Sequence, residues 1–148
     1  MNTAFVFFIA VLAATGSAQA VEYASVAEAD KIAILYDAPS LKAKKIFVVS
    51  RYLPLEKVVN LDNWVKVRDS SGSLAWIEKR CLSNKRFVIV TIALASIHQE
   101  PEEKSAVIAQ AKQQVALEWL ADTGTGWLKV RHLDGATGYV KTTEVWGD

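Results

Sequence analysis

The chain has a single cysteine, Cys81, and can close no internal disulfide, so its stability has to come from packing. Its two histidines, His98 and His132, have no Cys, Asp or Glu at metal-ligand spacing, and no glycine-rich loop is present to cradle a phosphate. No metal and no cofactor are therefore expected. Charge of one sign is also missing: 17 Lys and Arg stand against 16 Asp and Glu, for a formal net charge of +1. That balance leaves no electrostatic footprint for gripping a nucleic acid or an anionic membrane surface. Cys81 with a distant histidine is the one nucleophile pair the composition allows, and it follows no consistent pattern, so the chain is read as non-enzymatic. Its 148 residues, 51% apolar and 22% charged, describe a globular protein with room for one ordinary domain or two very small ones.

Residues 4–14 form a nearly unbroken apolar run, followed by Thr15, Gly16, Ser17 and the small-x-small triplet Ala18-Gln19-Ala20. A run of about 11 residues is too short to span a bilayer, which takes about 20. Residues 1–20 read as a secretory signal peptide cleaved after Ala20, although Met1-Asn2-Thr3 carries no Lys or Arg. The expected location is periplasmic or secreted, with no stable membrane anchor after cleavage. Cys81 follows Lys79 and Arg80, whose charges could favour a thiolate; the preferred reading is a small half-buried residue at a strand end.

What the chain does contain is a copy of itself. Trp64-Val65-Lys66-Val67-Arg68 matches Trp127-Leu128-Lys129-Val130-Arg131, Gly72 matches Gly135, and Trp76-Ile77 matches Tyr139-Val140. All three spacings are 63 residues (127 − 64, 135 − 72, 139 − 76). Upstream, residues 33–39 match 95–101 at a spacing of 62 (95 − 33), so the second copy carries one extra residue between its Pro and its Trp. Two copies at this period imply tandem domains rather than a solenoid. They are placed at 29–84 and 85–148, with 21–28 as a short leader.

Each copy alternates apolar and polar residues with the period of a half-buried strand, as in Val65 and Val67 against Trp64, Lys66 and Arg68. Turns are expected at Ser70-Ser71-Gly72-Ser73 and at Leu133-Asp134-Gly135, giving a hairpin in each copy. Residues 102–122 lack Gly and Pro and place Ile108, Ala111, Val115 and Trp119 at helical spacing. Val115, Leu117 and Trp119 also alternate, and the matching part of the first copy holds Ile46-Phe47-Val48-Val49 and Pro54, so strands are expected here too. The fold class is all-β, in two small barrels.

The sequence resembles the bacterial SH3-like family, and most closely its tandem, exported periplasmic subgroup. Three stretches carry the likeness: Tyr52-Leu53-Pro54-Leu55-Glu56-Lys57-Val58-Val59; Asp62-Asn63-Trp64-Val65-Lys66-Val67-Arg68-Asp69 continued by Gly72, Trp76-Ile77 and Leu82-Ser83; and the closing Val145-Trp146-Gly147. Ala75 stands where the family usually has the Gly of a Gly-Trp pair, which the second copy keeps as Gly138. The family's Arg-x-Gly-Pro after the first strand and two cysteines flanking the second copy's Trp are also absent. The resemblance implies five- to six-stranded barrel modules that bind peptides or cell-wall components.

Alternation independently suggests a ligand groove. With Val65 and Val67 inward, Trp64 faces out beside Lys66 and Arg68, and Trp127 beside Lys129 and Arg131. An outward Trp among cations suits a sugar ring, a proline or an acidic peptide. Trp76, Tyr139, Tyr36 and Asp37 are candidates to line the same grooves. Trp64 and Trp127 packing against the other module or the first loop, and Tyr36-Asp37 as an ordinary turn before Pro39, are the open alternatives. The expected function is recognition of peptidoglycan or a cell-envelope peptide; the alternative is a structural or assembly partner, accessory or inhibitor of another envelope protein. Modules this small bury modest cores alone, so the two are expected to pack together.

Overall fold

The structure, a computed structural model, describes residues 20–29 and 32–148. Residues 1–19 of the expected signal peptide, 1–20, lie outside the described residues. Fourteen strands form two seven-stranded sheets of the same topology, and no α-helix occurs among the described residues.

The first module runs β1 (Glu22–Val26), β2 (Ile32–Tyr36), β3 (Lys45–Ser50), β4 (Pro54–Asn60), β5 (Trp64–Arg68), β6 (Leu74–Glu78) and β7 (Leu82–Ser83). The second runs β8 (Phe87–Val90), β9 (Leu94–His98), β10 (Val107–Lys112), β11 (Ala116–Asp122), β12 (Trp127–Arg131), β13 (Thr137–Lys141) and β14 (Val145–Trp146). The sheet orders are β3-β2-β6-β5-β4-β1-β7 and β10-β9-β13-β12-β11-β8-β14, one the image of the other. The expected hairpins are β5–β6 and β12–β13, with Gly72 and Gly135 at positive φ in their turns. Within residues 102–122, 107–112 and 116–122 are strands, β10 and β11, because alternation buries Ala111 and Leu117 in a core that no helix face at that spacing would match.

Residues 21–28, expected as a leader, instead supply a structural strand. β1 pairs with β4 through Glu22–Lys57, Tyr23–Glu56 and Ala24–Leu55, and with β7 through Val26–Leu82. The strand was hidden because its partner in the second copy, β8, has a different sequence and lies beyond the readable repeat. Each sheet curls around its own aliphatic core. Val26, Leu35, Leu55, Val65, Val67 and Ile77 fill the first, with Cys81 at its margin; Val88, Ile97, Leu117, Leu128, Val130 and Val140 fill the second. Each such side chain contributes about 1.5–3 kcal/mol on burial. Cys81 is therefore a packing residue.

The extra residue of the second copy lies in the β11–β12 loop, where 123–126 (Thr-Gly-Thr-Gly) replaces 61–63 (Leu-Asp-Asn). The β3–β4 and β10–β11 turns hold Tyr52 (φ 70°) and Gln114 (φ 69°) at matched positions. The left-handed region costs a non-glycine residue on the order of 1 kcal/mol. Tyr52 offsets this by stacking on Phe87 of the second module, centroids 4.6 Å apart.

That stack belongs to a junction between the modules. The Ser25 hydroxyl donates to the Lys85 carbonyl at 2.6 Å. Tyr23 meets Trp146 edge-on at 5.2 Å. The Arg86 guanidinium lies 5.3 Å from the Tyr23 ring and 5.1 Å from the Trp119 ring, and its Nη2 donates to the Gly147 carbonyl at 2.8 Å. Gly147 sits at φ 111°, and a Cβ there would come within 2.9 Å of Pro54. The modules are thus packed together through aromatic faces that neither could cover alone.

Burial raises the Tyr23 phenol above its ordinary 10.0, with the nearby Glu56 carboxylate adding to the effect. The folded state favours the neutral phenol. Its contribution is complete below the unfolded value and is lost as pH rises through the folded one. The wild-type chain is expected to lose stability above about pH 10 more steeply than Tyr23→Phe, measured by denaturant unfolding at stepped pH.

Candidate functional site

In the first module, β2, β5 and β6 bring four of the expected residues together. Trp64 opens β5 half-buried, and the Tyr36 ring packs edge-on against it at 5.3 Å and 89°. Tyr36 is 4% exposed and pairs through its backbone with Trp76 on β6. Lys66 lies across from Trp76, its Nζ 6.0 Å from the ring centroid. Beside Trp64 runs a groove of about 480 Å³ between Pro39, from the β2–β3 loop, and Asn60, at the end of β4, with Leu61, Asp62 and Asn63, from the β4–β5 loop. A further hollow shares Asp62 and Asn63 and continues to Glu78, Lys79 and Arg80. The groove thus offers an aromatic wall held at a fixed angle with the Asp62 carboxylate beside it, and Glu78, Lys79 and Arg80 line the adjoining hollow.

The remaining candidates have other work. The Asp37 carboxylate accepts from the Lys44 N–H at 3.0 Å and so ties the base of the β2–β3 loop. Arg68 reaches both oxygens of Glu56 at 3.0 Å, and Arg131 makes the matching contact with Glu118 at 3.3 Å. These are cross-strand pairs, each contributing about 0.2–1 kcal/mol. They hold the same strands in both modules and leave neither arginine idle for a ligand.

The second module closes the equivalent place. Trp127 faces away from the core, as alternation required, yet it is only 8% exposed. His98, the counterpart of Tyr36, packs on it edge-on at 5.2 Å. Lys141 stands over its ring at 5.8 Å and is held there by an ion pair to Glu103 in the β9–β10 loop. That pair lowers the Glu103 carboxyl and raises the Lys141 ammonium from their ordinary values. The β11–β12 loop folds in as well: Thr123 donates to the Trp127 carbonyl at 2.7 Å, and Thr142 donates its N–H to the Gly126 carbonyl at 3.0 Å. The outward Trp127 groove expected from sequence is therefore corrected to a covered one. Lys129 and Tyr139 face each other as backbone partners beside this closed position.

Sequence reasoning did not find Pro39, the 60–63 loop or the junction residues Tyr23, Arg86, Trp119 and Trp146. The signal for His98 was present, since the 62-residue spacing aligns it with Tyr36. Among the described residues no group of three or more His, Cys, Asp or Glu is placed to hold a metal ion. No helix among them is long and apolar enough to cross a membrane.

The same sheet order twice, with one aromatic position conserved in place between the copies, defines the comparison to be made. The family model of the bacterial SH3 domain matches residues 29–84 and 93–147. The chain belongs to the bacterial SH3 domain family. The two matched segments fall within the two sheets, so this is a tandem bacterial SH3 protein, and its β1 and β8 precede the matched segments. No curated protein sequence matches it. Among solved structures, NlpC2 from Trichomonas vaginalis is similar at 15% identity and a TM-score of 0.41, over 88% of this chain and 49% of that one. NlpC1 from the same organism is similar at 14% identity and 0.41, over 93% of this chain and 50% of that one. The tandem SH3 chain spans about half the length of these structures.

Proposed function

We propose that this is an exported, non-enzymatic binding protein of the cell envelope, periplasmic or secreted after cleavage following Ala20, which recognises peptidoglycan or an envelope peptide through its first SH3 module. The observation that carries the reading is the contrast between Trp64 and Trp127. One outward tryptophan borders a groove with Pro39 and the 60–63 loop; its counterpart is sealed by His98, Lys141 and Glu103. A half-buried indole held edge-on by a buried tyrosine is a pre-ordered plate for a sugar ring or peptide, and it loses little entropy on binding. Asp62 and Lys79 beside it supply partners for the amines and carboxylates of a wall peptide. The second module then acts as a support that fixes the first through the junction.

The test is retention on purified peptidoglycan sacculi. The mature chain is expected to be retained, Trp64→Ala to lose retention while keeping its thermal transition, and Trp127→Phe to be retained. Loss of retention with Trp127→Phe alone would contradict the assignment. No retention of the wild-type chain would turn the reading to assembly with another envelope protein.

A further inference from the structure

We propose that β3 is a second docking site, distinct from the Trp64 groove, which takes an extended protein segment with an apolar centre and acidic ends. β3 is the terminal strand of the first sheet and pairs only with β2, so one row of its backbone N–H and C=O groups has no strand partner among the described residues. Such an edge is a template for adding a strand. Its outward side chains are apolar rather than protective: Phe47 is 50% exposed and Val48 67%.

The edge continues into the junction between the modules. A hollow of about 300 Å³ is walled by Val48, Ser50 and Arg51 on one side and by Ile89, Gln114 and Ala116 of the second module on the other. An added strand would therefore lie along β3 and run into a preformed apolar cleft, which gives its side chains somewhere to go. Gln114, held in the left-handed region, lines this cleft, and Tyr52, held likewise, lies between its lining residues Arg51 and Leu53. Tyr52 also carries Arg51, whose guanidinium rests over its ring at 5.2 Å.

Charge selects the occupant. Exposed Lys44 and Lys45 stand at one end of β3 and exposed Arg51 at the other. Antiparallel pairing with β3 of a second copy would set the lysine end of each against the arginine end of the other, a repulsive arrangement. A foreign segment with Asp or Glu at both ends meets attraction at both. This site stands apart from the wall-binding reading, since none of its residues lines the Trp64 groove.

Two acetylated, amidated probes test it, Glu-Val-Thr-Val-Thr-Glu and Lys-Val-Thr-Val-Thr-Lys, titrated into the full mature chain and followed by amide NMR. The acidic probe is expected to shift the amides of residues 46–50, with 89 and 116, in a saturable way, and the basic probe to bind about tenfold more weakly at low salt. Val48→Asp is expected to abolish the shifts with an unchanged melting temperature, and Trp64→Ala to leave them intact. The proposal is overturned if the acidic probe leaves residues 46–50 unperturbed at millimolar concentration, or if both probes bind alike. It is also overturned if sedimentation shows a dimer whose β3 amides are protected without probe, which would make the occupant a second copy.

Discussion

Replacing Arg86 with alanine is expected to lower the stability of the chain by about 3 kcal/mol and to split its thermal unfolding into two transitions. Arg86 sits just before β8, at the point where one module passes into the other. Its guanidinium is held between the rings of Tyr23 in the first module and Trp119 in the second, at 5.3 and 5.1 Å. Each desolvated cation–ring contact contributes about 0.5–2 kcal/mol, and the charged hydrogen bond to the Gly147 carbonyl about 1.5–3. Against these stands a cost, because Arg86 Nε is buried with no hydrogen-bond partner among the described residues. The net figure is therefore smaller than the sum. Alanine also uncovers the faces of Tyr23 and Trp119, leaving Tyr23 its edge-on contact with Trp146 across the junction. Arg86→Lys keeps the charge but loses the flat stacking surface, so an intermediate loss is expected. Calorimetry of the three proteins makes the comparison; one transition at an unshifted midpoint in the alanine variant would remove the junction from the account.

The second large effect is expected at Gly138. A Cβ added there would lie 2.5 Å from the His98 carbonyl oxygen, 2.7 Å from Ile97 Cγ2 and 2.9 Å from Ile108 Cδ1. The nearest of these is backbone, so β9 and β13 would have to separate. Gly138→Ala is expected to cost about 2–3 kcal/mol, all in the second module, as overpacking in a close-packed core does. The first module already carries alanine at this place, and Ala75 is 4% exposed and accommodated. Ala75→Gly is accordingly expected to cost only about 1 kcal/mol, from added backbone freedom and a lost methyl. In the second module Gly138 lets the His98 backbone lie against β13, where the His98 ring packs on Trp127. Denaturant unfolding of both variants reads the difference, and equal costs would show that the two strand pairs are spaced alike.

The tandem barrels were legible because their evidence is local and doubled. Two short runs, Trp64 to Arg68 and Trp127 to Arg131, fix a strand by alternation, and a shared spacing fixes its copy. The strand nature of 107–112 and 116–122 was legible for the same reason, through comparison with the apolar residues 46–49. β1 was not, because a strand whose partners in β4 and β7 lie 29 and more residues away (54 − 25) carries no local mark of its pairing. The candidate site was half legible. Alternation tells which face of β5 or β12 a side chain takes, and it placed Trp64 and Trp127 on the outer face. It does not tell what covers that face. His98, Glu103 and Lys141 converge on Trp127 from three different elements, and only the folded chain brings them there. Likewise Arg68 and Arg131 looked available until β4 and β11 delivered Glu56 and Glu118 beside them.

The central claim is that one of two equivalent tryptophan positions is open and the other shut. Titration of the full mature chain with a soluble peptidoglycan fragment, followed by the five tryptophan indole N–H signals and the backbone amides, tests it most directly. The Trp64 indole and the amides of residues 60–63 are expected to move together while the Trp127 indole stays in place. Movement of the Trp127 indole, or of the Tyr139 amide, with Trp64 unchanged would contradict it.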